Sequence, residues 1–158
     1  MANTSYLKGE VEEFLRNWTS KRIGVSLERR KVCVGKSNDG RDVHFEFDGV
    51  SDDGKIGLCI SSSTSNKIGQ MRKYFIDATA LNCAGFERRI MVFCEQRMWE
   101  TFRKHYDGLL NLSRIEPMIC KDIPPDMQKK IDIVVAEAKG EVGDKGRPAP
   151  PVPKSSRA

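Results

Sequence analysis

Residues 42–63 decide the fold, and they read DVHFEFDGVSDDGKIGLCISSS. Two segments in which apolar residues alternate with other residues flank an acidic turn, SDDG. Successive side chains of a β-strand point to opposite faces of the sheet, and Asp-Gly is a strong hairpin signal. Residues 42–63 therefore predict two antiparallel strands joined by a tight turn.

The alternation also predicts which side chains share a face of the sheet. On the first strand, one face carries Val43, Phe45 and Phe47, and the other carries His44, Glu46 and Asp48. On the second strand, one face carries Ile56, Leu58 and Ile60, and the other carries Gly57, Cys59 and Ser61. We therefore expect the acidic face of the first strand to lie beside the small residues of the second.

Length and composition predict one globular domain. The chain has 158 residues, of which 39% are hydrophobic and 31% are charged, and its formal net charge is +5. This length is sufficient for a buried core. The mildly basic charge is compatible with a nucleic-acid partner without requiring one.

The positions of the cysteines and the hydropathy of the chain predict where the protein is located in the cell. The five cysteines form no C-x-x-C pair and lie mostly in apolar segments, so we interpret them as buried thiols in a reducing compartment. No apolar run reaches the roughly 18 residues of a membrane-spanning helix, and no secretory signal pattern opens the chain. We expect a cytoplasmic location and no membrane partner.

Helical and extended segments alternate along the chain. Apolar residues recur at helical spacing over residues 5–20, 67–82, 97–110 and 126–139. Further strands are predicted over residues 31–35, 90–94 and 115–120. Strands linked by turns are antiparallel, and strands separated by helices join by parallel crossovers. The order αβββαβαβα therefore predicts an α/β fold with a mixed central sheet and helices on both faces.

The composition changes after residue 139. Residues 140–158 are rich in Gly, Pro, Lys and Ser and have no apolar period, which is typical of disorder. We predict a folded domain over residues 1–139 and a disordered Pro-rich tail over residues 140–158. Residues 147–153 of the tail fit R-x-x-P-x-x-P, a polyproline ligand pattern, which indicates either a protein-binding tail or a flexible tail that matches the pattern by chance.

Three features of the sequence point to one family. Asp48 ends the segment Phe45-Glu46-Phe47-Asp48, the triplet Cys59-Ile60-Ser61 lies on the next strand, and the leading helix carries Glu10 and Glu12. With the element order, this placement resembles the restriction-endonuclease-like, or PD-(D/E)XK, nuclease superfamily over about residues 5–120. In that family the second core strand ends in an Asp, the third carries an acid-x-Lys triplet, and the leading helix may carry a Glu. Cys59 and Ser61 stand where the triplet has its acid and its Lys.

The resemblance implies metal-dependent phosphodiester cleavage with Asp48 as the first metal ligand. Mg²⁺ prefers hard oxygen ligands, so Glu46, two residues earlier on the same face, would supply a second carboxylate. A displaced Lys would replace the missing one, with Lys67 and Lys55 as the two candidates. The predicted catalytic residues are Asp48, Glu46, Glu12, Ser61 and Lys67, and the predicted Mg²⁺ ligands are Asp48 and Glu46.

Each of these residues also has a structural interpretation. Asp48 is alternatively a solvated acid that caps the acidic turn through Ser51. The Ser/Thr-rich segment 61–66 either contacts phosphate or caps the helix that follows it. His44 is either a general base or a partly buried polar residue. Basic clusters such as Arg29-Arg30-Lys31 contact a phosphate backbone only if they share one face.

Two functions therefore stay open from the sequence. The first is a nuclease-like enzyme that acts on or binds nucleic acid with Mg²⁺. The second is a catalytically inactive protein-interaction or structural module on the same fold, which the missing acid-x-Lys pair favours.

Overall fold

The computed structural model describes residues 5–65 and 67–145. Over these residues the elements follow the predicted order. The helices are α1 Glu12–Ile23, which a π-helical turn Leu7–Val11 precedes, α2 Ile68–Cys83, α3 Gln96–Tyr106 and α4 Pro125–Lys145. The strands are β1 Leu27–Lys36, β2 Asp42–Ser51, β3 Ile56–Ser61, β4 Arg88–Phe93 and β5 Glu116–Ile119, and a 3₁₀ turn Leu112–Arg114 precedes β5.

The five strands form one open sheet in the order β1-β2-β3-β4-β5. β1, β2 and β3 pair antiparallel, whereas β3, β4 and β5 pair parallel. The predicted α/β class and mixed sheet are confirmed. β2 and β3 pair only at Gly49↔Leu58 and Val50↔Gly57, next to the turn.

Two apolar clusters cover the two faces of the sheet. The cluster on the α2 face joins α2 and α3 to sheet residues that include Phe47, Val50, Cys59, Met91 and Phe93. The cluster on the α1 face joins α1 and α4 to sheet residues that include Leu27, Leu58, Ile60, Ile90 and Val92. Helices therefore cover both faces, as predicted.

A β-bulge in β2 interrupts the alternation of its side chains. The register runs from Glu28↔Val50 to Arg30↔Phe47, so Asp48 and Gly49 of β2 lie opposite the single residue Arg29 of β1. An extra residue in one strand shifts the pattern by one position. Phe47 and Val50, three residues apart, consequently share the α2 face.

The bulge overturns one prediction. The acidic face of β2 does not lie beside the small residues of β3. Cys59 belongs to the α2-face cluster together with Phe47, and Gly57 lies against the Phe86 ring on the same side. The carboxyl of Asp48 instead lies beside Glu12 of α1. A strict two-residue period does not reveal a bulge, which explains the error.

Several predicted boundaries and exposures also differ. Val43 is exposed because β2 extends past its pairing with β3. Ile68, at the start of α2, and Leu109 are exposed, and α3 ends at Tyr106 rather than at residue 110. α4 continues past the predicted end at residue 139 to Lys145, because a single Gly weakens a helix by only about 1 kcal/mol and does not necessarily end it. The rest of the predicted tail lies outside the described residues.

The cysteines follow the prediction in part. All five are free, and Cys59, Cys94 and Cys120 are buried, whereas Cys33 and Cys83 are exposed. Burial raises the pKa of the Cys94 thiol to about 12, so it is not a thiolate near neutral pH. Among the described helices, none has the length and apolar character needed to cross a membrane.

Candidate functional site

Asp48 lies where β2 and β3 separate. Beyond Gly49↔Leu58 the two strands no longer pair, and the Asp48 carboxylate takes the place of a backbone partner. Its Oδ2 accepts a hydrogen bond from the Ile60 backbone N–H at 2.7 Å, which satisfies an amide that the gap would otherwise leave unpaired. The Arg16 side chain of α1 donates from Nε to the Asp48 carbonyl oxygen at 2.5 Å. Asp48 is therefore held by both β3 and α1.

Glu12 is the acid of the leading helix that reaches Asp48. Glu12 directly follows the π-helical turn, and its backbone N–H donates to the carbonyl oxygen of Leu7, the first residue of that turn. The Glu12 side chain is buried. Burial, a hydrogen bond with the Asp48 carboxyl and the charge of Asp48 raise the pKa of Glu12 to about 7, although Arg29 opposes the shift. Glu10, the alternative helix acid, is exposed.

Two arginines flank the Glu12 carboxylate. Its Oε1 lies 2.8 Å from Arg29 Nη2 and 3.7 Å from Arg16 Nη2. Arg29 is the β1 residue opposite the bulge, so the bulge that orients Asp48 also places a cation beside the acid pair. Opposite charges within about 4 Å favour the ionised carboxylate. The arginines therefore offset part of the repulsion between Glu12 and Asp48.

Lys73 of α2 approaches the same gap from the opposite face of the sheet. Its Nζ lies 3.4 Å from the Ile60 carbonyl oxygen and 3.0 Å from Asp77 Oδ2. Desolvation alone would lower the pKa of Lys73, but Asp77 and Asp48 together outweigh it and hold that pKa above its usual value. Burial raises the pKa of Asp77, and the ion pair with Lys73 opposes that shift. Asp48 and Lys73 thus contact the N–H and the C=O of one β3 residue.

The acid pair and Lys73 line a cavity of about 670 Å³. β1, β2, β3, α1 and α2 contribute its charged and polar side, and the π-helical turn and α4 contribute apolar side chains. Four of the five predicted catalytic residues line this cavity: Glu12, Glu46, Asp48 and Lys67. The sequence therefore predicted four residues that the structure brings to one cavity.

The fifth residue, Ser61, is outside the lining. It is buried and its hydroxyl is hydrogen-bonded to the Tyr74 hydroxyl beneath α2. Cys59 is likewise buried in the α2-face cluster. α2 therefore covers the face of β3 on which the acid and the Lys of the triplet would lie, and the predicted catalytic role of Ser61 is not supported by its position.

Glu46 and Lys67 are at the cavity but make contacts other than the predicted ones. Glu46 is half exposed, and its Oε1 lies 3.9 Å from Arg29 Nη1. Lys67 Nζ donates to the Ala138 carbonyl oxygen of α4 at 3.2 Å. Glu12 rather than Glu46 lies against the Asp48 carboxyl, and Lys73 rather than Lys67 reaches the backbone of β3.

The turn has its own cap. Ser51 Oγ donates to Asp53 Oδ1 at 2.6 Å, and the Asp53 carboxylate also accepts the Lys55 backbone N–H at 3.0 Å. These hydrogen bonds lower the pKa of Asp53. Asp53 therefore fills the capping role that the sequence offered as the alternative for Asp48.

Sequence reasoning missed Lys73 and Asp77. A signal was present, because Asp77 lies among the inward positions Tyr74, Ala78 and Leu81 of α2, and Lys73 precedes it by four residues. A buried acid is costly unless it is paired. An acid among the inward apolar residues of a helix, with a Lys four residues earlier, therefore indicates a buried ion pair.

The part of a magnesium site that the described residues could supply is two carboxyl groups. In residues 5–65 and 67–145, no group of three or more His, Cys, Asp or Glu is placed to hold a metal. Glu12 and Asp48 nevertheless bring two carboxyl groups together beside the Ile60 backbone N–H. Mg²⁺ is usually bound by one or two carboxylates together with water and substrate phosphates.

The Glu12 pKa predicts how stability depends on pH. The pKa is raised from 4.5 to about 7, so the folded protein keeps a proton that the unfolded chain releases. The stabilising contribution of Glu12 is therefore complete below pH 4.5 and is lost as the pH rises to 7. Because the amide cannot ionise, we expect Glu12→Gln to be more stable than the parent by about 1–2 kcal/mol at pH 8.

Urea denaturation at pH 5 and pH 8 measures this difference. The advantage of Glu12→Gln should be much smaller at pH 5 than at pH 8. Glu13→Gln, an exposed neighbour on α1, is the matched control and should behave as the parent at both values. Equal stability of Glu12→Gln and the parent at pH 8 would show that Glu12 ionises normally.

Members of three basic clusters are paired with acids within the described residues. Arg88 makes two hydrogen bonds with Glu116, at 2.8 and 2.9 Å, and Arg103 lies 3.9 Å from Asp107. Arg29 pairs with Glu12. A nucleic-acid partner therefore stays a prediction that depends on the cavity more than on these clusters. Comparisons with protein-family models, curated proteins and solved structures give no significant match for this chain.

Proposed function

We propose that this chain is a metal-dependent nuclease of the restriction-endonuclease-like type, with Asp48, Glu12 and Lys73 at its active site. One observation carries the proposal. Asp48 and Lys73 contact the same residue of β3, Ile60, in the gap between β2 and β3 at the wall of the cavity. The lysine that the β3 triplet lacks is thus supplied by α2.

The acid pair suits proton transfer near neutral pH. A general base works best when its pKa lies near the working pH, and the pKa of Glu12 is about 7. Asp48, held by the Ile60 N–H, provides a fixed carboxylate beside it. Two neighbouring acids in different environments can take different roles in catalysis.

Lys73 suits charge stabilisation. Its raised pKa keeps the ammonium charged at neutral pH, so it does not act as a base there. A fixed cation at the reacting phosphate stabilises the negative charge that develops in the transition state. Asp77 orients the ammonium through the 3.0 Å ion pair.

Asp48 would hold the Mg²⁺ ion, with Glu46 at the cavity wall as the second carboxylate, which leaves Glu12 as the base. When bound, this ion polarises the phosphate and lowers the pKa of the attacking water. Without the metal, Arg16 and Arg29 balance part of the negative charge at Glu12. The cytoplasmic location and the protein partner of the tail stay predictions.

A second candidate is a binding module without catalysis on the same fold. It is favoured by the burial of Cys59 and Ser61 at the triplet positions and by the ion pair between Arg29 and Glu12. Such a module would bind nucleic acid with an affinity that falls steeply with salt. It would show no metal-dependent turnover.

Lys73→Met tests the first candidate. We expect metal-dependent DNA cleavage to slow by about 100-fold, because removal of one electrostatic stabiliser typically has an effect of this size. Arg72→Met, at an exposed neighbouring position of α2, removes the same charge and should leave the rate within about twofold of the parent. Cleavage of labelled DNA is followed with Mg²⁺, with Mn²⁺ and with EDTA.

A folding control accompanies this test. Lys73→Met leaves Asp77 buried without its cation, which destabilises the fold. The double variant Lys73→Met/Asp77→Asn removes both charges and should melt near the parent temperature while it stays slow. Cleavage by the double variant at the parent rate would refute the role of Lys73. DNA binding without cleavage in the parent would instead support the binding module.

A further inference from the structure

The cavity has two walls of different chemistry. The charged wall carries Glu12, Asp48 and Lys73, and the apolar wall carries Leu7, Val134 and Val135. The bond from Lys67 Nζ to the Ala138 carbonyl oxygen ties the start of α2 to α4. The candidate active site therefore lies inside a cavity between helices.

The dimensions favour a small ligand over a duplex. The volume of about 670 Å³ lies within the roughly 300–1,000 Å³ of small-molecule sites. A cavity of this volume is too small to enclose a duplex, whose major groove alone is about 12 Å wide. A ligand that lies inside the cavity must therefore be small.

A single nucleotide has the matching chemistry. Its phosphate is an anion that a lysine ammonium and a carboxylate-bound cation attract. Its base has a flat face that packs against aliphatic side chains such as those of the apolar wall. A nucleotide inside a duplex presents its phosphate but keeps its base stacked and paired.

We propose that the cavity takes one unpaired nucleotide, either free or at the end of a single strand. Its phosphate lies toward Asp48 and Lys73, and its base lies against α4. The proposal rests on the proposed function for the position of the phosphate. Its own content is that the enzyme requires a free, unpaired end and does not cut the interior of a duplex.

A substrate panel tests the requirement for an end. The probes are a linear single-stranded oligonucleotide, the same oligonucleotide closed into a circle, a closed circular plasmid and thymidine monophosphate. We expect the linear strand to be degraded at least about tenfold faster than the circle or the plasmid, because only its ends enter the cavity. Equal cleavage of the circle or plasmid would overturn this inference and leave the nuclease proposal standing.

Filling the cavity is the second arm of the test. Ala138 lines the cavity on α4, whereas Ala136 is exposed on the same helix. Ala138→Trp should weaken thymidine monophosphate binding at least about tenfold through steric overlap, and Ala136→Trp should leave it unchanged. Ala138→Leu replaces the larger variant if that variant does not fold.

The outcomes separate the two proposals. Thymidine monophosphate binding that Ala138→Trp weakens, without cleavage of any probe, supports the nucleotide cavity and removes the nuclease. Cleavage by the parent, with thymidine monophosphate binding that Ala138→Trp leaves unchanged, supports the nuclease and removes the nucleotide cavity. Neither binding nor cleavage removes both.

Discussion

Asp48→Asn is expected to slow metal-dependent cleavage by about 1,000-fold or more without unfolding the protein. The substitution removes the negative charge at the point where the chain brings two carboxylates together. The amide oxygen of Asn still accepts the Ile60 N–H, which the carboxylate accepts at 2.7 Å in the parent. The change therefore separates the electrostatic role of Asp48 from its structural role.

Asp52→Asn is the matched control for this variant. Asp52 lies in the exposed β2–β3 turn, outside the cavity lining, and its replacement changes the net charge by the same amount. Initial rates on a linear single strand are compared at pH 8 with Mn²⁺ and with EDTA. A parent-like rate for Asp48→Asn would eliminate Asp48 from the chemistry and with it the nuclease proposal.

The thermal stability of Asp48→Asn gives a second readout. The charge of Asp48 contributes to the raised pKa of Glu12, so its removal allows Glu12 to ionise at lower pH. The variant should then lose less stability than the parent between pH 5 and pH 8. The rate falls while the stability holds, a combination that is typical of residues selected for function rather than for folding.

Much of the fold was predictable because local patterns decide it. The Asp-Gly turn and the alternation of β2 and β3 gave an antiparallel pair, and the helical spacing elsewhere gave the crossovers. The face assignment failed at one residue, since the bulge at Asp48 and Gly49 depends on the register with β1. A register is a property of two strands and is not encoded in the period of either one.

The site was predictable to the same extent. The family resemblance predicts Glu12 and Asp48 as site residues, but it does not predict the bulge in β2 beside which their carboxyl groups meet. Lys73 reaches β3 from another element that lies on the opposite face of the sheet. Spacing along one strand cannot supply such a residue, and a search for a displaced Lys near the strand end led to Lys67 instead.

Gly57→Ala should destabilise the fold by about 3 kcal/mol, although Ala is normally the better strand residue. A Cβ at this position would lie 2.1 Å from Phe86 Cε2 and 2.2 Å from Phe86 Cδ2. Phe86 is buried and packs edge-on against Phe47, with 4.9 Å between the ring centroids. β3 is paired on both sides at Gly57, with Val50 and Arg89, so neither the ring nor the strand has room to move.

A double-mutant cycle with Phe86 isolates this overlap. Phe86→Ala alone is costly because it leaves a cavity, but Gly57→Ala should then add little, since the clashing ring is absent. Gly108→Ala is the control, because a Cβ there meets no atom within 4 Å. Additive losses from Gly57→Ala and Phe86→Ala in urea denaturation would contradict the contact. Strong coupling would show that the close approach of Phe86 to Gly57 positions β3. The same strand carries Ile60, whose backbone N–H and carbonyl oxygen contact Asp48 and Lys73.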